Sequence, residues 1–238
     1  MLTSKSLGHT RAASHAQEAG ARIVNLRQMT EDLFTSEVLT PDYVKMYEET
    51  RRLADLLDAA SKARVTTSLG TNISMSIAGR TALCNGGPLA SGNRMNLPCG
   101  EAAISPVEGT LEGVLIVDHA IDAVGLLSSP VKVIAKQGKA ISIEGGKEAT
   151  KLLEVLSQAD GNAYHFAEFA IGTNPNSRLV GNVAEDKKKR GSVHIAIGDN
   201  HLLGGSIASS IHLDMIVLKP NVWLDGKQVV VQGEFNLY

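Results

Sequence analysis

The sequence predicts an α+β protein in which a mixed, largely antiparallel, sheet-rich domain follows a mostly helical N-terminal segment. Three observations carry this. Helical patterns dominate residues 1–62, and short strand patterns bounded by glycine dominate from Ala63 onward. Near the C-terminus an Asp-Gly pair joins two apolar runs, a strong short-range hairpin signal.

Taken in order, Leu7, Ala12, Ala16 and Ala19 before Gly20 predict a first helix, and Ala21–Leu26 a short strand. Thr30 can cap a helix whose first turn holds Glu31 and Asp32, where carboxylates favour the helix dipole. The clearest helix is Thr40–Lys62. Thr40 serves as its cap, Pro41 suits its first position, and Tyr43, Met46, Tyr47, Leu53, Leu56 and Leu57 form its apolar stripe. Strands are predicted at 63–67, 72–78, 101–105, 114–118, 131–136, 139–143, 192–197, 211–218 and 228–231. Glu148–Ala159 reads as one more helix, with Gly161 closing it. Leu224–Asp225–Gly226–Lys227 is the hairpin turn.

The 238 residues are 43% hydrophobic and 20% charged, with a formal net charge of −2, a composition suited to a soluble globular chain with a sizeable core. This balance offers no electrostatic reason to expect nucleic acid or an anionic membrane as partner. No apolar run reaches the roughly 18–20 residues of a membrane span. The first twenty residues lack the apolar stretch of a secretory signal, so the cytoplasm is the default expectation. Cys84 and Cys99 form no CxxC motif and read as free thiols. The run Glu185–Arg190 carries both signs of charge and reads as a solvated loop or helix end. Asn85–Pro88 and Gly204–Ser206 lack phosphate-loop spacing and read as turns. Ser209 and Ser210 read as residues leading into a strand, with orientation of nearby ligands as the alternative.

The residues able to do chemistry lie in the second half. In Ile211–His212–Leu213–Asp214–Met215, strand alternation puts His212 and Asp214 on one face, where both can reach one ion. A wet strand face is the competing reading. His194 lies opposite the apolar face of Val193, Ile195 and Ile197, beside the small Ala196; a core histidine bonded to a carbonyl would look the same. Glu101 and Glu168 sit among apolar residues, where acids are rarely buried unless paired or metal-bound. In a strand, simple alternation sends His165 and Glu168 to opposite sides; in a helix they could meet. Together Glu101, Glu168, His194, His212 and Asp214 suit Zn, Co or Mn in a hydrolytic site of one or two metals. The subset His194, His212 and Asp214 equally suits a two-histidine, one-carboxylate Fe(II) site.

Several motifs then occur in a telling order: Asn96–Leu97–Pro98–Cys99–Gly100–Glu101, Pro106–Val107–Glu108–Gly109, Ala167–Glu168–Phe169–Ala170–Ile171–Gly172–Thr173–Asn174, Gly191–Ser192–Val193–His194–Ile195–Ala196–Ile197–Gly198 and Ser210–Ile211–His212–Leu213–Asp214. In this order they resemble the aminopeptidase T-type, thermophilic metallo-aminopeptidases, in a superfamily that also includes the Fe(II)-dependent 2,5-dihydroxypyridine dioxygenases. The resemblance covers about residues 60–238 and, more loosely, Ser6 to Arg80, where Gly70–Thr71–Asn72 and Gly79–Arg80 also fit. It implies that Glu101, Glu168, His194, His212 and Asp214 are metal ligands. It makes Glu168 and His201 the candidate catalytic residues, Glu168 as bridging ligand or base. His201 stands where the aminopeptidases carry a tyrosine ligand. It implies residues 1–62 as the mostly helical remnant of an N-terminal α/β domain, 63–238 as the metal-binding catalytic domain, and a homodimer.

The leading expectation is a metallohydrolase that cleaves N-terminal peptide or related amide bonds of a short peptide or small molecule. The alternative is a mononuclear Fe(II) ring-cleaving dioxygenase. A third reading is a metal-binding protein without catalysis.

Overall fold

The computed structural model describes residues 2–3, 11–88 and 94–237. Among these residues the strands form three sheets. The largest has eight strands in the order Lys139–Glu144, Val131–Lys136, Glu112–Val117, Asn72–Ser76, Lys62–Thr66, Asn221–Leu224, Lys227–Val231 and Glu234–Phe235. The second has seven, in the order Gly125–Leu126, Ala120–Ile121, His212–Val217, Val193–Gly198, Phe166–Gly172, Glu101–Ile104 and Leu83–Asn85. Pairing throughout both is antiparallel. A small parallel sheet joins Leu2–Thr3, Ile23–Arg27 and Arg94–Asn96. The mixed, largely antiparallel α+β architecture is therefore the one the sequence predicts.

The burial patterns of the two large sheets differ in a way that places the site. Strands such as Val131–Lys136 alternate buried and accessible residues, the mark of one covered face. Glu101–Ile104, Phe166–Gly172 and Val193–Gly198 are buried at every position, so both faces of that sheet are covered. One face carries Ile104, Phe169, Ile171, Val193, Ile195, Ile197 and Met215. These share a single apolar core with Val65, Ile73, Leu115 and Val133 of the larger sheet, Leu53 and Leu57 of helix Tyr43–Ala59, and Leu152 and Leu156 of helix Lys147–Ser157. The other face carries the polar side chains.

Local chemistry explains most element boundaries. The first helix is Arg11–Glu18; Leu7 and Ser6 lie outside the described residues. Thr30 caps Glu31–Thr35, its side chain accepting from the Leu33 amide. The long helix begins later than the sequence predicts, at Tyr43, because the Asp42 carboxylate accepts from the Lys45 amide and takes the capping role. Pro41 thus precedes the cap, and Thr40 closes the short 3-10 turn Glu37–Leu39. Helix Lys147–Ser157 ends at Gln158 in right-handed geometry, so Gly161 is not its cap. Asp225 and Gly226 have φ of 47° and 85°, both in the left-handed region that a two-residue hairpin turn requires. Both cysteines are free, and among the described residues no helix is long and apolar enough to cross a membrane.

The run Glu185–Arg190 is the main departure. Glu185, Asp186 and Lys188 are buried, not solvated. Each has a partner that offsets desolvation. Glu185 pairs with Arg178, and Asp186 accepts from the Val180 and Gly181 amides and meets His119 at 2.7 Å. Lys187 and Lys188 turn inward to the polar face of the seven-stranded sheet.

Candidate metal centre

Register brings the candidate ligands together. Opposed residues in an antiparallel pair share a face. Gly172 opposes Glu101, and Ala170 opposes both Ala103 and His194. Ala196 opposes both Glu168 and Asp214, and Gly198 opposes His212. Glu101, Glu168, His194, His212 and Asp214 therefore occupy one face, separated by Ala103, Ala170, Ala196, Gly172 and Gly198. Small residues between the long polar ones leave the space in which those five side chains converge.

Glu168 reaches this face through a β-bulge. Phe166 opposes Ile197 and points into the apolar core, and by simple alternation Glu168 would follow it. The register shifts between Phe166 and Glu168, so Glu168 opposes Ala196 and turns to the polar side. The segment is a strand, and His165 stands outside it, in an isolated bridge to Lys139.

The donor atoms are close. His194 Nε2 lies 3.1 Å from Glu168 Oε1, 3.5 Å from Glu101 Oε2 and 3.9 Å from Asp214 Oδ1. His212 Nε2 lies 2.9 Å from Glu168 Oε2 and 3.5 Å from Asp214 Oδ1. Two groups each offer donors within 4.8 Å of one another: Glu101, Glu168 and His194, and Glu168, His212 and Asp214. Donors about 3–4 Å apart are what an ion bound at about 2.1 Å needs. Glu101 Oε2 and Asp214 Oδ1 are buried and accept no hydrogen bond. A buried carboxylate oxygen without a donor is costly, and a cation removes that cost. The residues present fit a divalent metal.

Electrostatics keep the carboxylates ionised. Burial alone would raise Glu168, but hydrogen bonds from His194 and His212 and the charge of Lys187 hold it well below the ordinary glutamate value. Burial likewise opposes ionised Asp214, and Lys187 and His212 overcome it. Lys188, Lys187 and His194 do the same for Glu101 against its burial. Desolvation opposes a charged His212, but hydrogen bonds with Asp214 and Glu168 and their charges hold it well above the ordinary histidine value. An ion at this site would take the place of that imidazole proton.

His201 is not brought to the group. Its ring is half-exposed and meets Asp199 Oδ2 at 3.1 Å. Ser209 and Ser210 bond Asp160 rather than any of the five side chains. Sequence reasoning missed Lys187 and Lys188. Lys187 Nζ lies 2.8 Å from Asp214 Oδ2, and Lys188 Nζ pairs with Glu101 Oε1, which also accepts from Asn85 at 3.0 Å. The available signal was the position of this charge run, ending two residues before the strand that carries His194. Arg27 also lines the cleft above these residues and pairs with Asp122 at 2.8 Å.

No curated protein matches the chain. Its fold is similar to that of the 2,5-dihydroxypyridine dioxygenase of Pseudomonas putida KT2440, with a TM-score of 0.85 and 21% identity over 97% of this chain and 70% of that one. It is also similar to wild-type AmpT from Thermus thermophilus, with a TM-score of 0.63 and 19% identity over 83% of this chain and 56% of that one. The family model for 2,5-dihydroxypyridine 5,6-dioxygenase matches residues 1–237. The chain belongs to the 2,5-dihydroxypyridine 5,6-dioxygenase family.

Proposed function

We propose that this chain is an Fe(II)-dependent ring-cleaving dioxygenase acting on a hydroxylated nitrogen heteroaromatic. The supporting observation is the convergence of Glu168, His212 and Asp214, with His194 beside them, on one buried face of a chain from this family. Imidazoles and a carboxylate with room beside them are the donor set of non-haem Fe(II) oxygenases. Ferrous iron bound there would supply the redox chemistry that joins dioxygen to an aromatic ring. The chain's residues prepare the place. His212 Nδ1 faces the Asp199 carbonyl at 2.7 Å, which orients the ring with Nε2 toward Glu168 and Asp214. Lys187 and Arg27 line the cleft and put positive charge where an ionised ring hydroxyl would bind.

The peptide-hydrolase reading, first by sequence, is the weaker of the two. Its support is the pair of overlapping donor groups sharing Glu168, which suits two ions. The family match and the higher TM-score favour the oxygenase.

The deciding experiment is anaerobic purification without a chelating tag, followed by metal analysis and oxygen-electrode assays with 2,5-dihydroxypyridine. Iron-dependent oxygen uptake, abolished by chelation and restored by Fe(II), is expected. Hydrolysis of amino-acid amides supported by Zn, Co or Mn, without oxygen uptake, would overturn the proposal.

A further inference from the structure

We infer that Lys187 and Lys188 act as built-in counter-ions that limit this centre to a single divalent cation. The inference rests on the functional reading above only in that the site takes a divalent cation.

Each lysine holds one oxygen of a carboxylate and leaves the other free. Lys187 Nζ bonds Oδ2 of Asp214 and leaves Oδ1 facing the two histidines. Lys188 Nζ forms an ion pair with Oε1 of Glu101 and leaves Oε2 facing His194. Both free oxygens are buried without a donor. Each lysine therefore sits behind a potential ligand rather than in the space the ligands enclose. From there it supplies positive charge without occupying the ion's place.

Charge balance then selects the number of ions. The three carboxylates Glu101, Glu168 and Asp214 face two ammonium groups, so once an ion takes the place of the His212 proton and the imidazoles are neutral, one negative charge is left uncompensated. One divalent cation converts this to a single positive charge, which an anionic ligand can match. A second would leave three positive charges in a buried site, and burying unpaired charge is strongly unfavourable. The donor geometry by itself allows two ions, because Glu168 belongs to both groups. The lysines are what close the second position. Glu101, Glu168 and Asp214 are each almost wholly buried, so water contributes little screening.

The probe is Mn(II), counted per folded chain by equilibrium dialysis with metal analysis and examined by electron paramagnetic resonance. The wild-type chain is expected to saturate at about one ion with an uncoupled signal, and Lys188→Met at about two with an exchange-coupled signal. Lys188→Arg, which keeps the charge, should return the count to about one. Should Lys188→Met fail to fold, Lys187→Met carries the same expectation, since it uncovers Asp214 as the other uncovers Glu101. A wild-type chain that saturates with two coupled ions overturns the inference, as does a folded lysine-to-methionine variant that still takes one. Absence of iron-dependent oxygen uptake alongside a wild-type count of one would instead defeat the functional reading and leave this inference standing.

Discussion

His212 Nδ1 lies 2.7 Å from the backbone carbonyl oxygen of Asp199. A carbonyl only accepts, so Nδ1 carries a proton and Nε2 is the nitrogen turned to Glu168 and Asp214. The carbonyl comes from the segment that directly follows the His194 strand. One strand thus orients the histidine of the next.

Replacing His212 and Asp214 together by alanine should remove most divalent-metal binding, with affinity falling by well over the roughly 10–100-fold typical of losing an outer-shell partner. Metal content after dialysis against Fe(II) or Mn(II), with circular dichroism to verify folding, checks this. Unchanged stoichiometry would show that the ion is held elsewhere.

Gly198 ends the strand that carries His194, with φ of +109°, and a β-carbon at this position would lie 2.1 Å from the Ile211 carbonyl oxygen. A side chain there meets backbone, which cannot rotate away. Gly198→Ala should lower stability by about 1–3 kcal/mol and shift the His194–His212 register. Thermal denaturation and metal affinity should therefore fall together. A variant with wild-type melting and binding would refute the strain argument.

Glu108 ties down the loop after that strand. Its carboxylate accepts from the Ser206 amide at 2.8 Å and Asn200 at 3.0 Å and pairs with Arg80. Burial alone would raise Glu108, yet these partners hold it at about 2. Because its folded value is depressed, its stabilisation is fully present above the ordinary glutamate value. That stabilisation is lost as pH falls toward about 2. The melting-temperature gap between wild type and Glu108→Gln should be constant above about pH 5 and close on acidification. A gap independent of pH would mean that the carboxylate charge is not what holds the loop.

Much of the fold was readable from the sequence because it rests on short-range chemistry. Strand alternation in Val193–Gly198 and His212–Val217, the Asp225–Gly226 turn and the Thr30 cap are each decided by a few neighbouring residues. Spacing also placed His212 and Asp214 on one strand face before any tertiary contact was considered. The motifs pointed to the right superfamily, although the ranking of hydrolase over oxygenase within it was not the one the family match supports.

What only the tertiary structure decided depends on chain segments meeting across long separations. The bulge at Phe166–Glu168 is set by pairing with Val193–Gly198, so alternation within one strand could not reveal which way Glu168 points. The inward turn of Lys187 and Lys188 depends on carboxylates 27 and 87 positions away in sequence. A lysine run reads as solvated because isolated ammonium groups are costly to bury. It becomes a buried feature only where folding gathers the opposite charges to pair with it.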